Sequence, residues 1–173
     1  FVAAQRVFVA DPAKVSDAAF LPDGSAIAVT GSEAMIKLFD IDGKALRQSA
    51  AAPGPLAALA VRGDGMQLAA GDAEGRVLLF NAADGALQQT IETGSAVNEL
   101  HFSPEHQKLV VAGADNHLRV YATVDAALLQ DQTAAAPIAS AQFLPGGREI
   151  LTATSDGVMS LYAYAAPTPV AEL

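Results

Sequence analysis

Apolar and polar residues alternate along this chain in short bursts, and the bursts recur. Val15, Leu56, Val97 and Ile138 stand 41 positions apart, and behind each the same pattern is spelled again. From Val15 it reads VSDAAFLPDGSAIAVTGSEAMIKLFD, and from Leu56 LAALAVRGDGMQLAAGDAEGRVLLFN. From Val97 it reads VNELHFSPEHQKLVVAGADNHLRVYA, and from Ile138 IASAQFLPGGREILTATSDGVMSLYA. Short alternating runs punctuated by Pro, Gly and Asp are strands joined by turns. An internal period of about 40 to 45 residues made of such pieces indicates a radial β architecture, not one compact core.

Each unit opens with a strand, Val15–Phe20, Leu56–Val61, Val97–Phe102 and Ile138–Phe143. A turn follows at fixed offset: Pro22-Asp23-Gly24, Gly63-Asp64-Gly65, Pro104-Glu105-His106 and Pro145-Gly146-Gly147. Pro presets φ and Gly supplies positive φ, so His106 in place of Gly predicts a different turn geometry in the third unit. A second strand comes next, at Ala26–Thr30, Gln67–Gly71, Lys108–Ala112 and Glu149–Ala153. A second turn then carries an acid at the same spacing, Glu33, Glu74, Asp115 and Asp156. The third strand ends on an aromatic, as Ile36–Phe39, Val77–Phe80, Leu118–Tyr121 and Val158–Tyr162. The fourth, at Ala45–Ser49, Leu87–Ile91 and Leu128–Thr133, is more polar, as suits an outer rim where a flat apolar edge would invite aggregation.

Residues 15–164 resemble the WD-repeat β-propeller family. Phe102-Ser103-Pro104, Ser155-Asp156-Gly157 and Leu38-Phe39-Asp40 match the family's turns and its closing aromatic-Asp pair. The resemblance implies an all-β propeller of four-stranded antiparallel blades, with four WD-like repeats of 41 residues. Trp never appears, Phe or Tyr taking its place, and the closing Asp survives only as Asp40, becoming Asn81, Ala122 and Ala163. The family's Gly-His pair is missing too, so its buried His-Ser-Trp-Asp network cannot form. Such degenerate, Ala-rich repeats look like bacterial members.

The repeats divide the chain at 15–55, 56–96, 97–137 and 138–173, a single propeller or half-propeller domain. Residues 1–14 precede them, and Arg6–Ala10 falls 41 positions before Arg47–Ala51, which makes it an orphan fourth strand of a blade completed elsewhere. The last unit lacks its own fourth strand, since prolines follow Tyr164 and discourage pairing. The result is a whole number of blades cut between third and fourth strands. Three arrangements use that cut: a closed four-bladed ring, two chains head-to-tail as an eight-bladed ring, or half of a longer polypeptide. Phe1 in place of an initiator Met predicts a processed chain or a piece of a longer one.

Composition narrows the partners. Ten Lys and Arg against nineteen Asp and Glu give a net charge of −9, with the basic residues scattered, which disfavours nucleic acid and anionic membranes. With no cysteine, thiolate metal sites, disulfides and C-x-x-C-H haem attachment are excluded. No apolar run approaches the roughly 18 residues of a membrane span. A soluble chain of the cytoplasm or periplasm is expected.

Candidate chemistry is sparse. Glu33, Glu74, Asp115 and Asp156 could form an acidic rim, but recurrence in every unit favours carboxylates that cap their own turns. Glu99 with His101, and Asp115 with His117, are two apart on a strand and share a face. Carboxylate plus imidazole could bind a metal or move protons, yet no third ligand is evident, and a satisfied polar pair between blades is favoured. There is no G-x-S-x-G elbow, phosphate loop or Ca²⁺ loop. The expectation is a non-enzymatic protein-interaction scaffold with no catalytic, cofactor or metal site. It completes a larger propeller with a second copy or with the rest of a longer chain. Arg6, Val7, Phe8 and Val9 on the orphan strand, with Tyr164, are its interface residues. The alternative is a propeller hydrolase, lyase or metal-binding module using His101 or His117.

Overall fold

A computed structural model describes residues 7, 8, 10 and 14–164. The described residues form fifteen strands in four antiparallel sheets, with no helix. Blade 1 holds β1 (Val15–Phe20), β2 (Ala26–Gly31), β3 (Ile36–Asp40) and β4 (Ala45–Gln48). Blade 2 holds β5 (Leu56–Val61), β6 (Gln67–Asp72), β7 (Arg76–Asn81) and β8 (Leu87–Glu92). Blade 3 holds β9 (Val97–Phe102), β10 (Lys108–Gly113), β11 (His117–Ala122) and β12 (Leu128–Thr133). Blade 4 shows three strands among the described residues, β13 (Ile138–Phe143), β14 (Glu149–Thr154) and β15 (Met159–Ala163). Each sheet is a meander in chain order. Every innermost pair carries a bulge at one register, after Val15, Leu56, Val97 and Ile138. A bulge adds local twist, and its recurrence shows that the four sheets are bent alike.

The innermost strands adjoin in sequence, β1 to β5, β5 to β9 and β9 to β13. No comparable packing joins blade 4 to blade 1 among the described residues, so the four sheets do not close on themselves. Side-chain alternation explains how one sheet serves two neighbours. In blade 2, Leu68, Ala70, Leu78 and Phe80 join Ala28, Ile36 and Leu38 of blade 1 in one apolar cluster. The intervening residues Ala69, Val77 and Leu79 join Leu100, Leu109 and Tyr121 of blade 3 in another. Val110, Ala112, Leu118 and Val120 then meet Ile138, Ala141, Phe143 and Ile150 of blade 4. The core is therefore three seams between blades. This is why the β6, β7 and β10 sequences read as nearly continuous apolar runs, not as alternating ones.

One expectation is corrected. The His106 turn has the same geometry as its counterparts, with His106 at φ +66° against +70° for Gly24, +71° for Gly65 and +66° for Gly147. Its N–H donates to Ser103 O at 2.9 Å, as Gly24 donates to Leu21 O at 2.9 Å. The hairpin geometry is imposed by the strands on either side, and the non-glycine residue accepts a left-handed conformation to satisfy it.

Candidate functional site: open blade faces and the groove across the first strands

The recurring acids are engaged at their own turns. Asp156 accepts the Thr154 hydroxyl at 2.6 Å and the Val158 N–H at 3.3 Å. Asp115 accepts the His117 N–H at 3.2 Å and a forked Arg119 guanidinium at 2.6 and 3.2 Å. The hydroxyl beside Asp156 and the guanidinium beside Asp115 hold both carboxyls below the usual carboxylate range. Glu33 pairs with Lys37, and the exposed Glu74 reaches Arg76 at 3.2 Å. In blade 2 the capping role belongs instead to Asp72, two residues earlier and fully buried. It accepts Glu74 N–H at 3.0 Å, Arg76 N–H at 2.8 Å and Arg76 Nε at 2.6 Å. The N–H satisfied at residues 76, 117 and 158 occupies one register, so each of these turns requires a carboxylate but not at a fixed position. Asp72 was hidden in the sequence because its counterparts are Gly31, Gly113 and Thr154.

The histidines are not brought together. His101 Nδ1 accepts the Phe143 N–H at 3.4 Å, a bond from blade 3 to blade 4, and burial pushes its imidazole down from the ordinary range. His117 Nδ1 meets Asp131 Oδ1 at 2.6 Å, while Asp115 contacts only its backbone N–H. Glu99 and His101 share a groove of about 410 Å³ across β1, β5 and β9, lined also by Phe20, Leu59 and Leu100. Burial, and secondarily the charge of Asp17, pushes the Glu99 carboxyl up. Asp17 staples the innermost strands by accepting the Leu59 N–H at 2.9 Å, a role the sequence did not reveal. Among the described residues no group of three His, Asp or Glu side chains could hold a metal ion.

Outer strands follow a second rule. Each reaches forward to the next blade: Arg47 donates to Ala82 O at 2.9 Å, Gln89 to Val124 O at 2.6 Å and Gln130 to Ala163 O at 3.5 Å. Gly85, at φ +74°, lets the β4 backbone approach, since a Cβ there would come within 2.5 Å of Gln48 O. Phe8 lies against blade 1. Its ring packs on Phe39 with centroids 5.3 Å apart, and a Cβ on Gly43 would lie 2.6 Å from it. Val7, Phe8 and Ala10 are not paired as a strand within this chain, and Arg6 and Val9 lie outside the described residues. Tyr164 sits at the junction of blades 3 and 4. Its N–H donates to Arg148 O at 2.7 Å, its ring packs against the third cluster, and Lys108 Nζ lies 4.8 Å from the ring centroid.

Two faces are left open. On blade 4, Met159 and Leu161 are 66% and 54% exposed, and on blade 1, Phe20 is 65% exposed. No helix among the described residues is long and apolar enough to cross a membrane.

Comparison with protein-family models matches residues 85–122 to the WD domain, G-beta repeat. No curated protein matches the chain. The matched span begins in the turn before β8 and ends with β11, so it takes the outer strand of one blade and the inner three of the next. A WD repeat thus lies at residues 85–122, and the neighbouring sheets, built to the same 41-residue register, have the form of WD-repeat blades.

Proposed function

We propose that this chain is a non-enzymatic protein-interaction scaffold whose first interaction completes a larger propeller, an eight-bladed ring of two chains. WD repeats generally serve protein association, and the repeat at residues 85–122 supports that class of function. One observation carries the finer reading: Phe8 lies against Phe39 and Gly43 of blade 1 as the outer strands lie against the blade that follows them. The phase of the matched repeat agrees with it. Stepping its start of 85 back by 41 gives 44 and then 3, so residues 5–10 fall where the outer strand of the first unit belongs. Blade 4 ends on β15, whose outer edge has no strand beside it among the described residues. The free edge and the spare segment are complementary, and main-chain pairing between them is β-augmentation.

The β11–β12 register sets the pairing. Leu118 faces Gln132 and Val120 faces Gln130. Transferred by 41 residues, Leu161 of one chain faces Val7 of the other. Deleting residues 1–11 tests the proposal through the mass in solution. The expected result is an intact chain that associates and a truncated one that does so more weakly. A single-chain mass for both, with unchanged melting, would overturn it.

A further inference from the structure

We infer that the open face of blade 4, built from Leu151, Ala153, Met159 and Leu161, docks on the open face of blade 1 in a second copy of this chain. The inference rests on the self-association proposed above and identifies the side chains that hold it. Adding 41 to Val110, Ala112, Leu118 and Val120 gives these four residues in order. In blade 3 that set is 0–2% exposed, covered by Ile138, Ala141, Phe143 and Ile150 of blade 4. In blades 1 and 2 the same register holds Ala28, Ile36 and Leu38, then Ala69, Val77 and Leu79, all buried against the following blade. Three consecutive seams therefore bury this face, and its fourth copy is apolar, with Met159 and Leu161 exposed and Leu151 and Ala153 half-buried.

Its complement is on the same chain. The residues that cover the face in the existing seams are the registers of Ile138, Ala141, Phe143 and Ile150. Stepped back by three repeats, these become Val15, Ala18, Phe20 and Ile27 on blade 1. Val15 and Phe20 are 45% and 65% exposed, whereas Ile138 and Phe143 are 1% and 5% exposed. Val29 and Phe39 continue the same face but are already buried, at 5% and 6% exposure, with the Phe8 ring packed on Phe39. A second copy presents both face types at once. Two copies head-to-tail then make two identical seams related by a two-fold axis, each continuous with the seams already inside the chain. Single exposed apolar residues are ordinary on a protein surface, but a contiguous set repeating a buried register is not.

The test is sedimentation of the intact chain beside three variants. Leu161→Arg and Met159→Glu place a charge in the proposed seam, where desolvation would weaken association at least ~100-fold. Val124→Glu alters a valine that is 81% exposed but belongs to neither face. The expected outcome is a two-chain species for the intact chain and for Val124→Glu, with single chains for the other two. All four proteins should share one circular-dichroism spectrum, because Met159 and Leu161 are exposed within a single chain. A two-chain species that survives both seam substitutions overturns this inference and leaves self-association standing. A single-chain intact protein overturns both.

Discussion

Replacing Asp72 by Ala should be the most costly single change in any of the acidic turns. The carboxylate is fully buried and accepts three hydrogen bonds, two from the backbone N–H groups of Glu74 and Arg76. Losing it leaves both N–H groups in a partly buried turn without an acceptor, each costing about 1–3 kcal/mol according to how well water reaches it. It also frees Arg76, whose Nε bond to Asp72 is 2.6 Å, to swing toward Glu74 and solvent. A total of about 3 kcal/mol is reasonable, since the turn can admit some water. For a chain of this size each kcal/mol moves the melting midpoint by about 2–4 °C, so the drop should be about 6–12 °C. Glu74→Ala is the matched control. That side chain is 63% exposed and makes only an ion pair, which is worth little at a surface. Thermal melts followed by far-ultraviolet circular dichroism measure both. Equal shifts for the two variants, or a shift under about 1 °C for Asp72→Ala, would refute the assignment of the cap to Asp72.

Glu99→Gln should raise the melting midpoint at pH 7. Burial holds the folded carboxyl above its unfolded value of 4.5, so its favourable contribution exists at low pH and is lost as pH rises through the folded value. The variant's advantage should shrink as pH falls toward 4.5, and a pH-independent difference would contradict this. For His101 the sign is opposite: the folded imidazole lies below its unfolded value of 6.5, so the unfolded chain takes up the proton first. Stability should therefore fall as pH drops through 6.5, and urea titrations at two pH values should show a smaller fall in His101→Gln. His106→Gly should stabilise by about 0.5–1 kcal/mol. Relief of the left-handed backbone slightly outweighs the added freedom of the unfolded chain and the loss of a 3.7 Å contact with Asp64.

The strands were legible because their signal is local and repeated. Alternation, turn residues and the 41-residue step place β1, β5, β9 and β13 with the bounds that the structure gives them. Seam chemistry was less legible, because it depends on which side chains meet across blades. The His101 bond to the Phe143 N–H and the Asp17 bond to the Leu59 N–H each span about forty residues, and neither partner's sequence marks it. Gln89 and Gln130 do repeat at 41, yet polar residues on an outer strand read as a solvated rim until their reach to Val124 O and Ala163 O is seen. Asp72 was obscured for the opposite reason. The turn needs one carboxylate acceptor, and blade 2 supplies it from a position where its neighbours have Gly or Thr. At His106 the sequence misleads, because a turn residue's preference yields to the strands that bracket it.

The most direct measurement is imaging of the intact chain by electron cryomicroscopy. Class averages viewed down the axis should show eight spokes around a channel with two-fold symmetry. Each half would hold four blades, joined at seams formed by blade 4 of one chain and blade 1 of the other. Isolated four-blade arcs, or a closed four-spoked disc, would contradict it.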